Sequence, residues 1–169
     1  MHPACLPIHE LEADCRFRFS RGSGPGGQHR NKVETLVTIE HIPTGLIAHA
    51  GEARNQNENR RAAMQRLRCV LAIGVRAPVE LSRFQPSSVW MEYCRSQRLR
   101  ISEGNEDFPA LLAEAMDILA ANDWDPALSA KCLNVSATQL VRLLSQYPPA
   151  LGALNQELIA RGRATRNRS

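Results

Sequence analysis

Four glycines and one proline fall within six residues of this chain, Gly22 to Gly27, and no ordinary core element accommodates such a run. Glycine inside a helix or strand costs roughly 0.5–1 kcal/mol relative to alanine, and proline removes a backbone donor. The segment from Phe19 to Lys32 is therefore expected to be a loop with a task. Its glycines, Gly22, Gly24, Gly26 and Gly27, leave backbone N–H groups uncovered, so that another molecule can approach the main chain closely. Gln28 stands at the tip, flanked by Arg21, Arg30 and Lys32, a distribution of charge suited to polyanionic surroundings. Nucleic acid is the expected partner.

Three readings compete for this loop. Gly22, Gly24 and Gly27 satisfy G-x-G-x-x-G formally, but a dinucleotide fingerprint needs a helix directly after the glycines and an acid about 20 residues on. The next patterned segment is instead Leu36 to His41, which alternates as a strand does, and no Gly-Lys-Ser/Thr triplet exists to make a P-loop. A mobile hairpin tip is the bland reading of any glycine cluster. The third reading is a family: Gly24-Pro25-Gly26-Gly27-Gln28, continued by His29, Arg30, Asn31 and Lys32, resembles the peptidyl-tRNA hydrolysis loop of bacterial-type peptide chain release factors. His41 to Leu46 and Ala53 to Asn59 fall where that family has similar segments, so three motifs occur in the same order.

The resemblance implies a chemistry. Peptidyl-tRNA is an ester, its hydrolysis passes through an oxyanion, and one preorganised N–H donor there contributes about 3–4 kcal/mol. The backbone N–H of Gln28 would be that donor, with Gly26 and Gly27 holding the main chain in shape to enter the peptidyl-transferase centre of the large ribosomal subunit. The glutamine side chain would help admit water, the substrate's own ribose hydroxyl would participate, and Gln28 would be a target for a glutamine methyltransferase. The implied partners are the ribosome and peptidyl-tRNA, with neither cofactor nor metal. His29 has no carboxylate at an obvious spacing to orient it as a base, and no Ser/His/Asp or Cys/His constellation is readable. Arg21, Arg30, Lys32, Arg54, Arg60 and Arg61 are the candidates for contact with ribosomal RNA or tRNA through phosphate.

Departures from the family pattern bear on the reading. Arg30 stands where relatives usually carry a small apolar residue, and Asn55 where many carry serine. No tripeptide resembles the stop-codon reader, and 169 residues hold less than a full set of release-factor domains. The expected activity is therefore codon-independent release of nascent chains from stalled ribosomes. The alternatives are a non-catalytic ribosome- or RNA-binding regulator and a helix-turn-helix DNA binder.

Around the loop, the pattern reads as α+β. Cys15, Phe17 and Phe19 alternate with Arg16 and Arg18, the period of a half-buried strand, after an irregular lead-in over residues 1–11. Leu36 to His41 and Leu46 to Ala50 form a hairpin across Pro43 and Gly45. From about Asn55 to Ile73, Ala63, Leu67, Val70 and Leu71 make one helical stripe to cover the sheet. Arg54, Arg60, Arg61, Arg66 and Arg68 collect outside it, as either a solvated face or a phosphate rail.

The second half reads as a helical annex. Residues 79–105 suggest a linker in which Trp90 anchors the two halves, and Arg95, Arg98 and Arg100 cluster as a solvated face. Helices come next, with Asp125 and Pro126 as cap and first position and Ser136 capping the helix after a tight turn at Asn134, a helix-turn-helix-like pattern. Its second helix has Arg142 as its single basic residue, which fits a packing module better than a DNA reader. The expected divisions are a catalytic domain over 1–78, a linker over 79–105, the annex over 106–162 and a basic disordered tail over 163–169.

Net charge is +4, with nineteen arginines against two lysines, and arginine forks suit phosphate. The five scattered cysteines lack ligand spacing and read as reduced thiols. The absence of any apolar run near 18 residues, or of a leader pattern, makes a cytoplasmic location the expectation, and a single target ribosome makes a monomer the default.

Overall fold

The computed structural model describes residues 1–21 and 35–167. The lead-in is more ordered than its sequence predicts. Pro3–Cys5 form a single 3₁₀ turn whose first free N–H, on Ala4, donates to the His2 Nδ1. Helix α1, Ile8–Ala13, comes next and buries Leu11. Both elements are too short to show a period, which is why the sequence pattern misses them.

Strands β1 (Cys15–Ser20), β2 (Leu36–His41) and β3 (Leu46–Ala50) make an antiparallel sheet in that order. Phe17 pairs with Ile39 and Ile39 with Ala48, so the apolar residues of all three strands share one face. On the other face Arg16 and Arg18 both reach Glu40, at 3.4 and 3.5 Å. Gly45, at φ +69°, closes the β2–β3 turn in the left-handed region that glycine tolerates best.

Helix α2, Gln56–Gly74, covers the sheet with Ala63, Met64, Leu67 and Leu71, all buried. Here the structure corrects the simple stripe: α2 is also covered on its far side, by helix α4 (Phe108–Ala121) and the N-terminal turn. Arg68 therefore leaves the basic rail and turns inward. Its Nε donates to the Ala4 carbonyl at 3.1 Å and its Nη1 to the Glu106 carbonyl at 2.6 Å, so the buried guanidinium keeps polar partners. Arg76 wraps the end of α2, donating to the carbonyls of Ala72 and Ile73, and its Nη1 meets Asp117 of α4 at 3.1 Å. Asp117 also accepts from the Ala77 N–H.

Between these helices lie α3 (Ser88–Tyr93) and a small hairpin, β4 (Cys94–Arg95) with β5 (Arg98–Leu99). Trp90 is fully buried, and its indole N–H donates to the Leu133 carbonyl at 2.9 Å. The anchoring role expected of it is thereby given a partner. Helix α5, Pro126–Cys132, starts at Asp125, whose carboxylate accepts from the N–H groups of Ala127 and Leu128. Asn134, at φ +55°, makes the turn into α6, Ala137–Gln146, which Ser136 caps through the Gln139 N–H. Leu140, Val141, Leu143 and Leu144 bury the inner face of α6. Helix α7, Pro148–Ala160, closes the annex. Beyond it, Arg163 donates to Asp123, and Asn155 exchanges two hydrogen bonds with the Arg166 backbone. Buried apolar residues from the sheet through α7 belong to one contiguous core.

Candidate functional site

Gly26, Gly27, Gln28, Arg30 and Lys32 lie outside the described residues, as does His29. The described residues form the base from which that segment leaves and to which it returns. Ser20 pairs with Leu36 at the open end of β1 and β2, so the segment between them is closed at its root by a strand ladder. Both anchor points are therefore held at the spacing of neighbouring strands.

Asn59 fastens the returning side. It is 1% exposed on the first turns of α2, and its side-chain amide N–H₂ donates to the Thr35 carbonyl at 2.6 Å and the Ala53 carbonyl at 2.9 Å. Its Oδ1 accepts from the Ala53 N–H at 2.9 Å. One side chain thus joins the segment's root, the β3–α2 connection and the helix. In the sequence Asn59 lies within a family-like segment, but nothing there assigns it a role. The available signal is an amide in the first turn of an amphipathic helix, at a position continuous with the apolar stripe through Ala63 and Leu67.

The cationic candidates separate once their partners are known. Arg60 ion-pairs with Glu12 at 3.0 Å and stacks over the Phe17 ring at 4.7 Å, so it braces α2 against α1 and β1. Arg66 donates to Glu52 and to the His49 carbonyl, and its hydrogen bond holds the Glu52 carboxyl below the ordinary carboxylate range. Arg21, Arg54 and Arg61 are exposed and form no ion pair among the described residues. Arg21 stands at the root itself, and Arg54 lies beside Ala53 in the connection that Asn59 ties to Thr35. The structure therefore brings Arg21 and Arg54 to the loop base and assigns Arg60 a bracing contact.

Among the described residues, the root of the segment is closed by the strand ladder and carries Arg21 and Arg54 without ion pairs. The RF-1 domain model matches residues 7–100, more than half of the chain. The chain belongs to the RF-1 domain family. Individual relatives are similar to it over part of its length. Peptide chain release factor 1 of Acidiphilium cryptum (strain JF-5) is 46% identical over 78 residues, covering 46% of this chain and 22% of that protein. Peptide chain release factor 2 of Campylobacter fetus subsp. fetus (strain 82-40) is 46% identical over 63 residues, 37% of this chain and 17% of the relative. Peptide chain release factor 1 of Mycoplasma pneumoniae (strain ATCC 29342 / M129 / Subtype 1) is 44% identical over 66 residues, 39% and 18% of the two chains. The chain thus spans about a fifth of the length of these relatives. The release-factor relatives place the RF-1 domain in translation termination. Among the described residues, no helix is long and apolar enough to cross a membrane.

Proposed function

We propose that this RF-1 domain protein is a codon-independent peptidyl-tRNA hydrolase that releases nascent chains from stalled ribosomes in the cytoplasm, acting as a monomer. The observation that carries the reading is an intact Gly26-Gly27-Gln28 triplet in a family member whose loop root is fixed by the Ser20–Leu36 pairing and by Asn59. Residues 1–78 would form the catalytic unit, joined through residues 79–105 to the helical annex over 106–162. Codon independence is part of the proposal, and the comparison of truncated with stop-codon messages below tests it.

In this reading a water oxygen attacks the ester carbonyl carbon, the carbon–oxygen bond to the tRNA ribose breaks, and the ribose oxygen leaves as a hydroxyl. The peptide departs with a carboxylate. The Gln28 N–H stabilises the negative oxygen of the intermediate, and Gly26 and Gly27 give the main chain the conformational freedom to present it. Arg21, Arg30, Lys32, Arg54 and Arg61 would neutralise RNA phosphates around the insertion. Arg60 would contribute through its bracing contact with Glu12.

The decisive experiment measures release of a labelled nascent peptide from purified ribosomes on truncated and on stop-codon messages. Gly27→Ala is expected to lower the release rate at least ~100-fold, and Gln28→Pro, which deletes the N–H, to do the same. Gln28→Ala keeps that N–H and retains more activity. Ribosome binding without release on either message would overturn the hydrolase and favour the RNA-binding regulator.

A further inference from the structure

Arg95, Arg98, Arg100 and Arg142 are exposed and engage no side-chain partner among the described residues, whereas most other arginines of the fold do. The fold brings these four together from two elements distant in sequence. Arg95 and Arg98 are direct cross-strand partners in the β4–β5 hairpin, and Arg100 continues their face, its N–H bonded to the Tyr93 carbonyl. Like charges directly opposite across a ladder repel. The turn between them, Ser96 at φ +50° and Gln97 at φ +60°, is a left-handed pair that glycine and asparagine fill with less strain. The hairpin tip therefore sets two arginines opposite each other on the backbone at a conformational cost, with no ion pair to either among the described residues.

Two open hollows of about 660 and 680 Å³ adjoin this hairpin, and Arg100 lines both. The first continues onto α6, where Gln139, Arg142 and Gln146 stand at intervals of three and four and so form one stripe. Among the described residues Glu92 is the single carboxylate along the two hollows; the other polar groups are arginine forks, amides, hydroxyls and backbone. A surface that offers several forks, neutral hydrogen-bonding amides and almost no acid is complementary to a run of phosphates.

We infer that the β4–β5 hairpin and the outer stripe of α6 form a second RNA-binding surface, which grips the phosphate backbone of ribosomal RNA apart from the glycine loop. The choice of RNA rests on the proposed action at the ribosome. Charge complementarity and the Arg95–Arg98 juxtaposition rest on the structure alone.

The test uses the full chain, a fluorescein-labelled RNA hairpin and, separately, purified 70S ribosomes, over a range of salt. Arg98→Gln/Arg142→Gln is expected to weaken binding to both probes roughly tenfold and to lower the slope of log K against log salt by about 1.5. Arg95→Gln/Arg100→Gln should repeat the effect. Arg83→Gln/Lys131→Gln removes the same charge elsewhere and should leave affinity unchanged. Wild-type affinity and slope in both groove variants would overturn the proposal. Loss of ribosome binding with RNA-hairpin binding intact would also overturn it, by giving the surface to a protein partner. The hairpin assay reads this groove whether or not the protein releases peptide, so failure of the hydrolase reading is seen separately.

Discussion

Asn59 is the residue at which the helix, the β3–α2 connection and the root of the glycine segment depend on a single amide. Asn59→Ala would leave the Thr35 and Ala53 carbonyls and the Ala53 N–H without their partner, and is expected to cost about 2–3 kcal/mol in denaturant unfolding. On the proposed hydrolase reading Asn59 is a positioning residue, and its loss should lower kcat for peptide release more than it raises KM. A fall in apparent kcat that equals the fall in folded protein, with KM unchanged, would reduce Asn59 to a purely structural role. Two histidines set a pH limit at the same scale. Burial lowers the pKa of His2, against the raising influence of its bond to the Val75 carbonyl, and burial lowers that of His41, against the charge of Asp14. A folded-state value below the ordinary 6.5 means that the unfolded chain binds more protons in that window. Stability should therefore be complete above about pH 6.5 and fall as the pH drops through the lowered values. Denaturation midpoints measured from pH 8 to about pH 5 check this, and a His2→Asn/His41→Asn variant should show a shallower decline.

Among the elements, α3 and α4 carry the sharpest expectations. Trp90→Ala empties a fully buried site and orphans the Leu133 carbonyl, for an expected loss of about 3–5 kcal/mol by denaturant titration, while Trp90→Phe should lose less. Asp117→Ala strands the half-buried Arg76 and the Ala77 N–H and should cost about 2–3 kcal/mol; an unchanged midpoint would refute the assigned bracing. The elements legible in the sequence are those with a strong local signal: the alternation of Cys15, Phe17 and Phe19, the Pro43–Gly45 turn, and the caps Asp125 and Ser136. Those that are not legible depend on partners far along the chain. Arg68 reads as one more surface arginine until the carbonyls of Ala4 and Glu106 are brought to it. The β4–β5 hairpin has two residues per strand and no glycine in its turn, so neither period nor turn chemistry announces it. At the loop base the cationic residues are legible, but their division into Arg60, which is engaged, and Arg21 and Arg54, which are open, depends on Glu12 and Phe17, whose proximity only the fold creates.

For the whole molecule, the continuous core predicts a single unfolding event. Tryptophan fluorescence, from Trp90 and Trp124 in the second half, and far-UV circular dichroism should give superimposable transitions; separated midpoints would show that the halves melt independently. Thiol chemistry should track the same burial. Desolvation pushes Cys69 up to about 12 and Cys15 up to about 11, so iodoacetamide at neutral pH should label both slowly in the folded protein and fully in denaturant. The placement of α2 between sheet and annex has a consequence for ancestry as well. A helix covered on one side can exchange its neighbouring domain by gene fusion with little adjustment. Here Arg68 hydrogen-bonds to the N-terminal turn and to the start of α4 at once, and Asp117 holds the far end of α2. A recombinant carrying a different annex would inherit a buried cation with half its partners missing, so exchanging the annex would call for a compensating change at Arg68.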